Sequence, residues 1–212
     1  GWRRTSFSVI DLATPSTSKS PARKPQSRRK SLLYCCALTN TPQLSPSIAT
    51  FAKFTFFKID PAWQRRDAEQ RAQDKRELRA ACDDFALERS LRAYSTLGTR
   101  GDTDLLLLAQ SPTLEDIHTF HVVLAQSGLA RWASIPHSYL AMTKRSPYSE
   151  TEARTEICTS ERKYLFVYPF WKKREWYRLP TDERQRIMSD HIEIGRRYPQ
   201  ITINTAYSFG LD

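Results

Sequence analysis

Apolar positions recur along this chain in two periods, and their alternation predicts the order of the secondary structure. Residues 51–60 (FAKFTFFKID) gather apolar and aromatic side chains into a strand-length run closed by Asp60-Pro61. Residues 64–88 are rich in helix formers, and Leu78, Ala81, Cys82 and Phe85 fall at helical spacing as a narrow inward stripe. Two apolar runs follow at 90–97 and 104–109, joined by Gly98-Thr99-Arg100-Gly101-Asp102, whose two glycines are expected to supply the positive φ of a hairpin connection. Ser111-Pro112 predicts a helix start, a capping hydroxyl followed by proline at the first helical position, with Ile117, Phe120 and Leu124 on the core face. Residues 137–143 read as a further strand.

The order over 51–145 is therefore β-α-β-β-α-β, the ferredoxin-like arrangement. A polar connector over 146–162 leads to KYLFVYPFW, in which Tyr164, Phe166, Tyr168 and Phe170 share one face and Leu165, Val167 and Trp171 the other. Both faces are apolar, which predicts a strand covered on both sides. Thr181 is expected to cap the next helix, and 201–209 alternates as a last strand. The pattern over 163–212 repeats β-α-β, so the second ferredoxin-like repeat is expected to be incomplete. The fold class expected is α+β. Residues 1–50 carry no lasting period and are rich in Ser, Thr, Pro and basic residues, which predicts a disordered tail with the composition of an organellar transit peptide.

Composition changes this picture in one respect. The 212 residues carry a net charge of +10, but 1–50 hold eight of the 33 basic side chains and only Asp11 of the 23 acidic ones, leaving 25 against 22 in the remainder. The ordered part thus has no electrostatic reason to seek a polyanion. An RNA-recognition sheet needs exposed aromatics on its third strand, where this chain has Leu105-Leu106-Leu107-Leu108, so nucleic acid is not an expected partner. No run approaches the roughly 18 consecutive apolar residues of a membrane span. Cys35-Cys36, Cys82 and Cys158 lack metal-ligand spacing and read as reduced thiols, which fits a soluble, cytoplasmic protein, or an organellar one if 1–50 is a transit peptide. The Arg100-Gly101-Asp102 triplet reads as part of a turn.

Candidate chemistry centres on one histidine. His118 and His121 lie at i, i+3 on a helix, yet no carboxylate or thiol is spaced to complete a metal site with them, and His137 has no companion signal. His191 has Ile187, Met188, Ile194 and Gly195 one turn to either side, which is expected to set its imidazole on the buried face of an amphipathic helix. An imidazole presented from an apolar wall suits an axial haem ligand, and suits equally a core histidine bonded to a backbone carbonyl. Upstream, Tyr168 sits among aromatics that could cover a macrocycle, and Lys172, Lys173 and Arg174 could hold its propionates or could be solvated charges at a strand end.

These residues carry a resemblance. Tyr168-Pro169-Phe170, Lys172, Trp176-Tyr177, Glu183-Arg184, His191, Gly195, Tyr198-Pro199 and Tyr207-Ser208-Phe209-Gly210-Leu211-Asp212 resemble the chlorite dismutase family, a haem-binding group that includes coproheme decarboxylases. The N-terminal unit agrees through Asp60-Pro61-Ala62-Trp63, Gly98-Thr99-Arg100-Gly101-Asp102 and Ser138-Tyr139-Leu140-Ala141-Met142. The resemblance implies two ferredoxin-like repeats forming a dimeric α+β barrel, a homo-oligomer that is often a pentamer, and haem b or coproheme in the C-terminal repeat. By motif position it makes His191 the proximal iron ligand, sets Lys172 and Trp176 at the haem edge, and makes Tyr168 the tyrosine that coproheme decarboxylases use as a radical site at a propionate. The distal arginine of true chlorite dismutases has no counterpart in Thr202-Ile203-Asn204-Thr205-Ala206. The function expected is therefore a haem-dependent, peroxide-linked oxidoreductase of peroxidase or coproheme decarboxylase type, with a haem carrier or sensor as the alternative.

Overall fold

The structure is a computed structural model that describes residues 50–144, 157 and 164–208, and the backbone alone of 5–12. Strand β1 (Thr5–Leu12) is followed by β2 (Phe51–Ile59), helix α1 (Ala68–Ala86), β3 (Ser90–Ser95), β4 (Leu105–Ser111), α2 (Leu114–Gln126) and β5 (Ala133–Met142). The second half comprises β6 (Tyr164–Trp171), the short α3 (Arg174–Arg178), α4 (Thr181–Arg196) and β7 (Ile201–Ser208). The strands form one antiparallel sheet of seven in the order β3-β4-β2-β5-β7-β1-β6. Its first four strands have the order expected of a ferredoxin-like unit.

The local chemistry explains these boundaries. Asp60 accepts from the Ala62 N–H at 2.8 Å and Pro61 opens a single 3-10 turn, which delivers Trp63 into the core, where its indole donates to Asp74 Oδ2 at 2.8 Å. Asp67 caps α1 through the Gln70 N–H, leaving Ala81, Leu78, Cys82 and Phe85 facing the sheet. Helix α2 starts two residues later than its sequence predicts: Thr113 is the cap, while Ser111 ends β4 and donates its hydroxyl to Asp116. A β-strand residue can serve the first turn of the following helix with its side chain, so the Ser-Pro pair marks the corner and not the cap. In the β3–β4 hairpin only Gly98 has a positive φ, +77°, so Gly101 does not play the part expected of it. Arg100 instead fastens this turn by a two-pronged pair with Asp102 (2.8 and 2.6 Å), to which His137 also bonds at 2.7 Å. The triplet is thus engaged internally.

Two cores flank the sheet. Phe57, Leu107, Ala109, Ile117, Phe120 and Leu124 fill the space beneath α1 and α2, with the Phe85 and Phe120 rings 4.4 Å apart. On the opposite face lie Ala52, Phe54, Phe56, Leu106, Leu108, Ala141, Ile157 and Ala206. The unbroken leucine run of β4 follows from this, because both of its faces are covered. Leu165 and Val167 of β6 pack against the second core although four strand spacings, about 19 Å in a flat sheet, separate β6 from β2. The sheet therefore curls around a core shared by both halves. Among the described residues β3 and β6 end the sheet, and no pairing closes it into a barrel.

Three further expectations are revised. Thr5–Leu12, read from its composition as part of a disordered tail, is a strand paired on both edges; residues 13–49 lie outside the described residues, as do most of the connector 146–162 and Phe209-Gly210-Leu211-Asp212. A short alternating segment such as TSFSVIDL carries too little signal alone and is fixed by its neighbours. Thr181 does not cap α4 but is its first residue, after Pro180. The two faces of β6 are not both covered, which bears directly on function.

Candidate functional site

The C-terminal half presents an uncovered aromatic face. On β6, Leu165 and Val167 turn into the shared core, whereas Tyr164, Phe166 and Tyr168 on the other side are 49%, 53% and 42% exposed. Phe170 continues that row, its ring 6.0 Å from Tyr168. Apolar residues on both faces of a strand ordinarily mean burial on both. Here one face is left to solvent, and it ends at the cations that follow Trp171.

The strand exit builds a compact cationic corner. Lys172 turns its Nζ over the Trp176 ring at 4.3 Å from the centroid, a cation–π contact set up by the turn into α3. Burial, and then the positive charge of Arg184, push the Lys172 pKa below the ordinary lysine value. Arg184 donates to Thr181 Oγ1 at 3.2 Å, but its Nε is buried and has no hydrogen-bond partner. Sequence reasoning placed Arg184 in a motif and gave it no role; its only sequence signal was its position one turn into the helix after the Lys172 corner.

Helix α4 is two-sided. Arg186 pairs with Glu183 (2.8 Å) and Asp190 (3.3 Å), and Arg197 with Glu193 (3.0 Å), a ladder of i, i+3 and i, i+4 pairs along one face. The helical period sets Arg184, Ile187, Met188, His191 and Gly195 on the opposite face. The structure does not bury that face: no residue of α4 is buried, and His191 is exposed, contrary to the expectation from its apolar neighbours. An amphipathic stripe states which side of a helix avoids water, and not that protein covers it. The His191 imidazole has no hydrogen bond or ion pair among the described residues, so the alternative of a core histidine tied to a carbonyl is not what the structure shows. Lys172, Trp176 and Arg184 are brought together; among the described residues no hydrogen bond or ion pair joins Arg184 to His191 or Tyr168.

Two of the other histidines are occupied, His137 by Asp102 and His121 by two bonds of its own. His121 donates from Nδ1 to the Ile117 carbonyl and accepts at Nε2 from the Thr55 hydroxyl, both at 2.8 Å, and burial lowers its pKa. It lines a cleft of about 730 Å³ with Lys53, exposed His118 and Ser138, in which Lys53 Nζ bonds Ser138 at 2.6 Å. Neither nitrogen of His121 is available to a metal. Among the described residues no cluster of three or more His, Cys, Asp or Glu could hold an ion, and no helix is long and apolar enough to cross a membrane.

Comparison with known proteins agrees with this architecture. Residues 71–212 match the family described as chlorite dismutase. Over 120 residues the chain is 28% identical to a coproheme decarboxylase of Mycolicibacterium smegmatis, covering 56% of this chain and 52% of that protein, so it spans about half the length of that relative. A single-site variant of chlorite dismutase from Candidatus Nitrospira defluvii superposes with a TM-score of 0.60 at 16% identity, over 74% of this chain and 76% of the other. A haem-binding protein from Thermus thermophilus gives 0.56 at 23% identity, over 72% and 70%. With its two halves curled about one core and a match that runs through both, the chain belongs to the chlorite dismutase family.

Proposed function

We propose that this chain binds haem on the outward face of its C-terminal half, with His191 as the iron ligand, and acts as a peroxide-linked oxidoreductase of coproheme decarboxylase type. The observation that carries the proposal is the uncovered row Tyr164, Phe166 and Tyr168, which ends at the Lys172–Trp176 corner beside the unpartnered Arg184 Nε. The residues fit the group. Haem needs an apolar floor, an imidazole free of competing bonds and cations for two carboxylates. The aromatic row is such a floor, His191 such an imidazole, and Lys172 and Arg184 are positioned to bind carboxylates.

Bound haem would supply the redox chemistry with peroxide; the chain's residues bind, orient and hold protons around it. A carboxylate at Lys172 Nζ would favour the charged amine and offset the burial that depresses its pKa. Trp176 holds the ammonium in place through its ring. Tyr168 has no hydrogen-bond partner among the described residues, and we assign it to the propionate that is lost. The relative of M. smegmatis, a coproheme decarboxylase, supports this choice over chlorite breakdown. So does β7, where Asn204 and Ala206 are buried and the alternate residues Ile203 and Thr205 offer no cation.

Coproheme turnover with peroxide, compared between the native chain and Tyr168→Phe at equal cofactor occupancy, tests the assignment. Decarboxylation should be lost while binding persists; equal decarboxylation by the variant would remove it. A haem carrier is the outcome if the native chain binds stoichiometrically and turns over neither coproheme nor a peroxidase substrate. The homo-oligomer implied by the family, a pentamer, is checked by light scattering.

A further inference from the structure

We infer that the cleft between helix α2 and strands β2 and β5 is a binding site for a small monocarboxylate with an apolar body, its carboxylate held at Lys53 and His118 and its hydrocarbon laid along Leu114, Ile117 and Leu140. On the face of β2 that meets the helices, Phe51 and Phe57 belong to the core at either end, whereas the two alternate positions between them are Lys53 and Thr55. A hydrocarbon pair there would complete the core. A lysine and a threonine beside a helix must instead be given partners, because polar groups buried without bonds are costly. The neighbouring elements supply them: Lys53 Nζ donates to Ser138 Oγ of β5 at 2.6 Å, and Thr55, 1% exposed, donates its hydroxyl to His121 Nε2 of α2 at 2.8 Å.

These bonds frame a space instead of filling one. The cleft holds about 730 Å³, within the range of small-ligand sites. Its apolar wall is Leu114 and Ile117 of α2 with Leu140 of β5, which lies directly opposite Lys53 in the sheet. All the residues that line it fall between Lys53 and Leu140, so the first repeat alone builds it. Positive charge converges on it: after burial, the nearness of Lys53 and of His118 helps hold the His121 pKa below the ordinary value. His121, bonded at both nitrogens, is therefore a fixed and neutral part of the wall, while His118 is exposed at the rim. Glu115, also exposed, is the one carboxylate among the lining residues, and it disfavours a ligand with a second carboxylate by like-charge repulsion. An apolar wall with one cationic end selects a ligand of the same make, hydrocarbon to leave water and one carboxylate to accept charge-assisted hydrogen bonds. None of these residues belongs to the outward face of β6 or to α4, so the inference does not rest on the haem proposal.

Octanoate, octanol and octylammonium share one hydrocarbon chain and differ in charge, so they separate the parts of this claim. Titrated into the full chain and followed by the imidazole proton resonances of His118 and His121, octanoate should saturate and raise the His121 pKa, because a bound carboxylate offsets the charge of Lys53. Octanol and octylammonium should bind at least about tenfold more weakly. Lys53→Met, with an unchanged circular dichroism spectrum, should weaken octanoate by at least about tenfold. Lys53→Glu should reverse the preference in favour of octylammonium, a gain that misfolding cannot produce. Phe166→Ser, on the outward face of β6, should leave octanoate binding as it is. Failure of octanoate to bind the native chain, equal binding of the three probes, or octanoate binding that survives Lys53→Met but not Phe166→Ser would each overturn the inference. None of these measurements uses haem, so the cleft assignment and the haem proposal fail independently.

Discussion

The two halves of this molecule share a β-α-β plan and close it differently. In the first, α2 drives Ile117, Phe120 and Leu124 onto the sheet, each no more than 4% exposed, and their partners Phe57 and Leu107 are buried to match. In the second, α4 buries no side chain, and the aromatic residues on the outward side of β6 are about half exposed. One half uses its apolar residues to stabilise itself; the other displays them. Similar apolar patterns along a sequence can therefore lie in a core or at the surface.

That contrast can be broken at chosen positions. Phe120→Ala should cost about 3–5 kcal/mol of stability by urea unfolding, because it opens a cavity against Phe85 and Phe57. Gly128→Ala should cost about 1–3 kcal/mol: a Cβ there would lie 2.9 Å from the Asp74 Cα and overlap the Asp74 carboxylate, forcing α1 away from the loop whose Gly128 N–H bonds Glu77. His121 should make the first half acid-sensitive. Burial, with Lys53 and His118 nearby, holds its folded pKa below the ordinary 6.5, so the folded state binds fewer protons; stability is lost as pH falls through 6.5 toward the folded value. His121→Gln should flatten that slope in unfolding midpoints measured across the range. At the small end, Phe166→Ser and His191→Ala should each leave stability of the cofactor-free chain within about 0.5 kcal/mol, since neither side chain is buried. A loss comparable to that of Phe120→Ala would mean that the C-terminal face is a core after all.

Much of the fold was legible because local and tertiary signals agreed. Asp60-Pro61, the stripe through Leu78 and Phe85, and the face Ile117, Phe120, Leu124 all point where the structure puts them. The errors arose where one signal had two physical solutions. Ser111-Pro112 has a capping residue's chemistry but turns a corner, and Thr113 makes the cap. Alternation on both faces of β6 indicates apolar surroundings without saying that protein provides them. Thr5–Leu12 was hidden by the basic, Ser-rich composition around it, and its order depends on β6 and β7, more than 150 residues away. Of the residues singled out from the sequence, Lys172 and Trp176 meet. The exposure of His191 and the part of Arg184 needed coordinates, since helical spacing gives a side but not its cover.

The central claim is that the open face of the second half is a haem site held by His191. Haem titration of the full chain beside His191→Ala, following the Soret band, tests it most directly, with circular dichroism confirming that both are folded. The account predicts saturable one-to-one binding by the native chain, with the shifted Soret band of an imidazole-bound iron, and loss of that signature in the variant. A folded native chain that leaves the Soret band of free haem unchanged, or a variant that binds with the same spectrum and affinity, would contradict it.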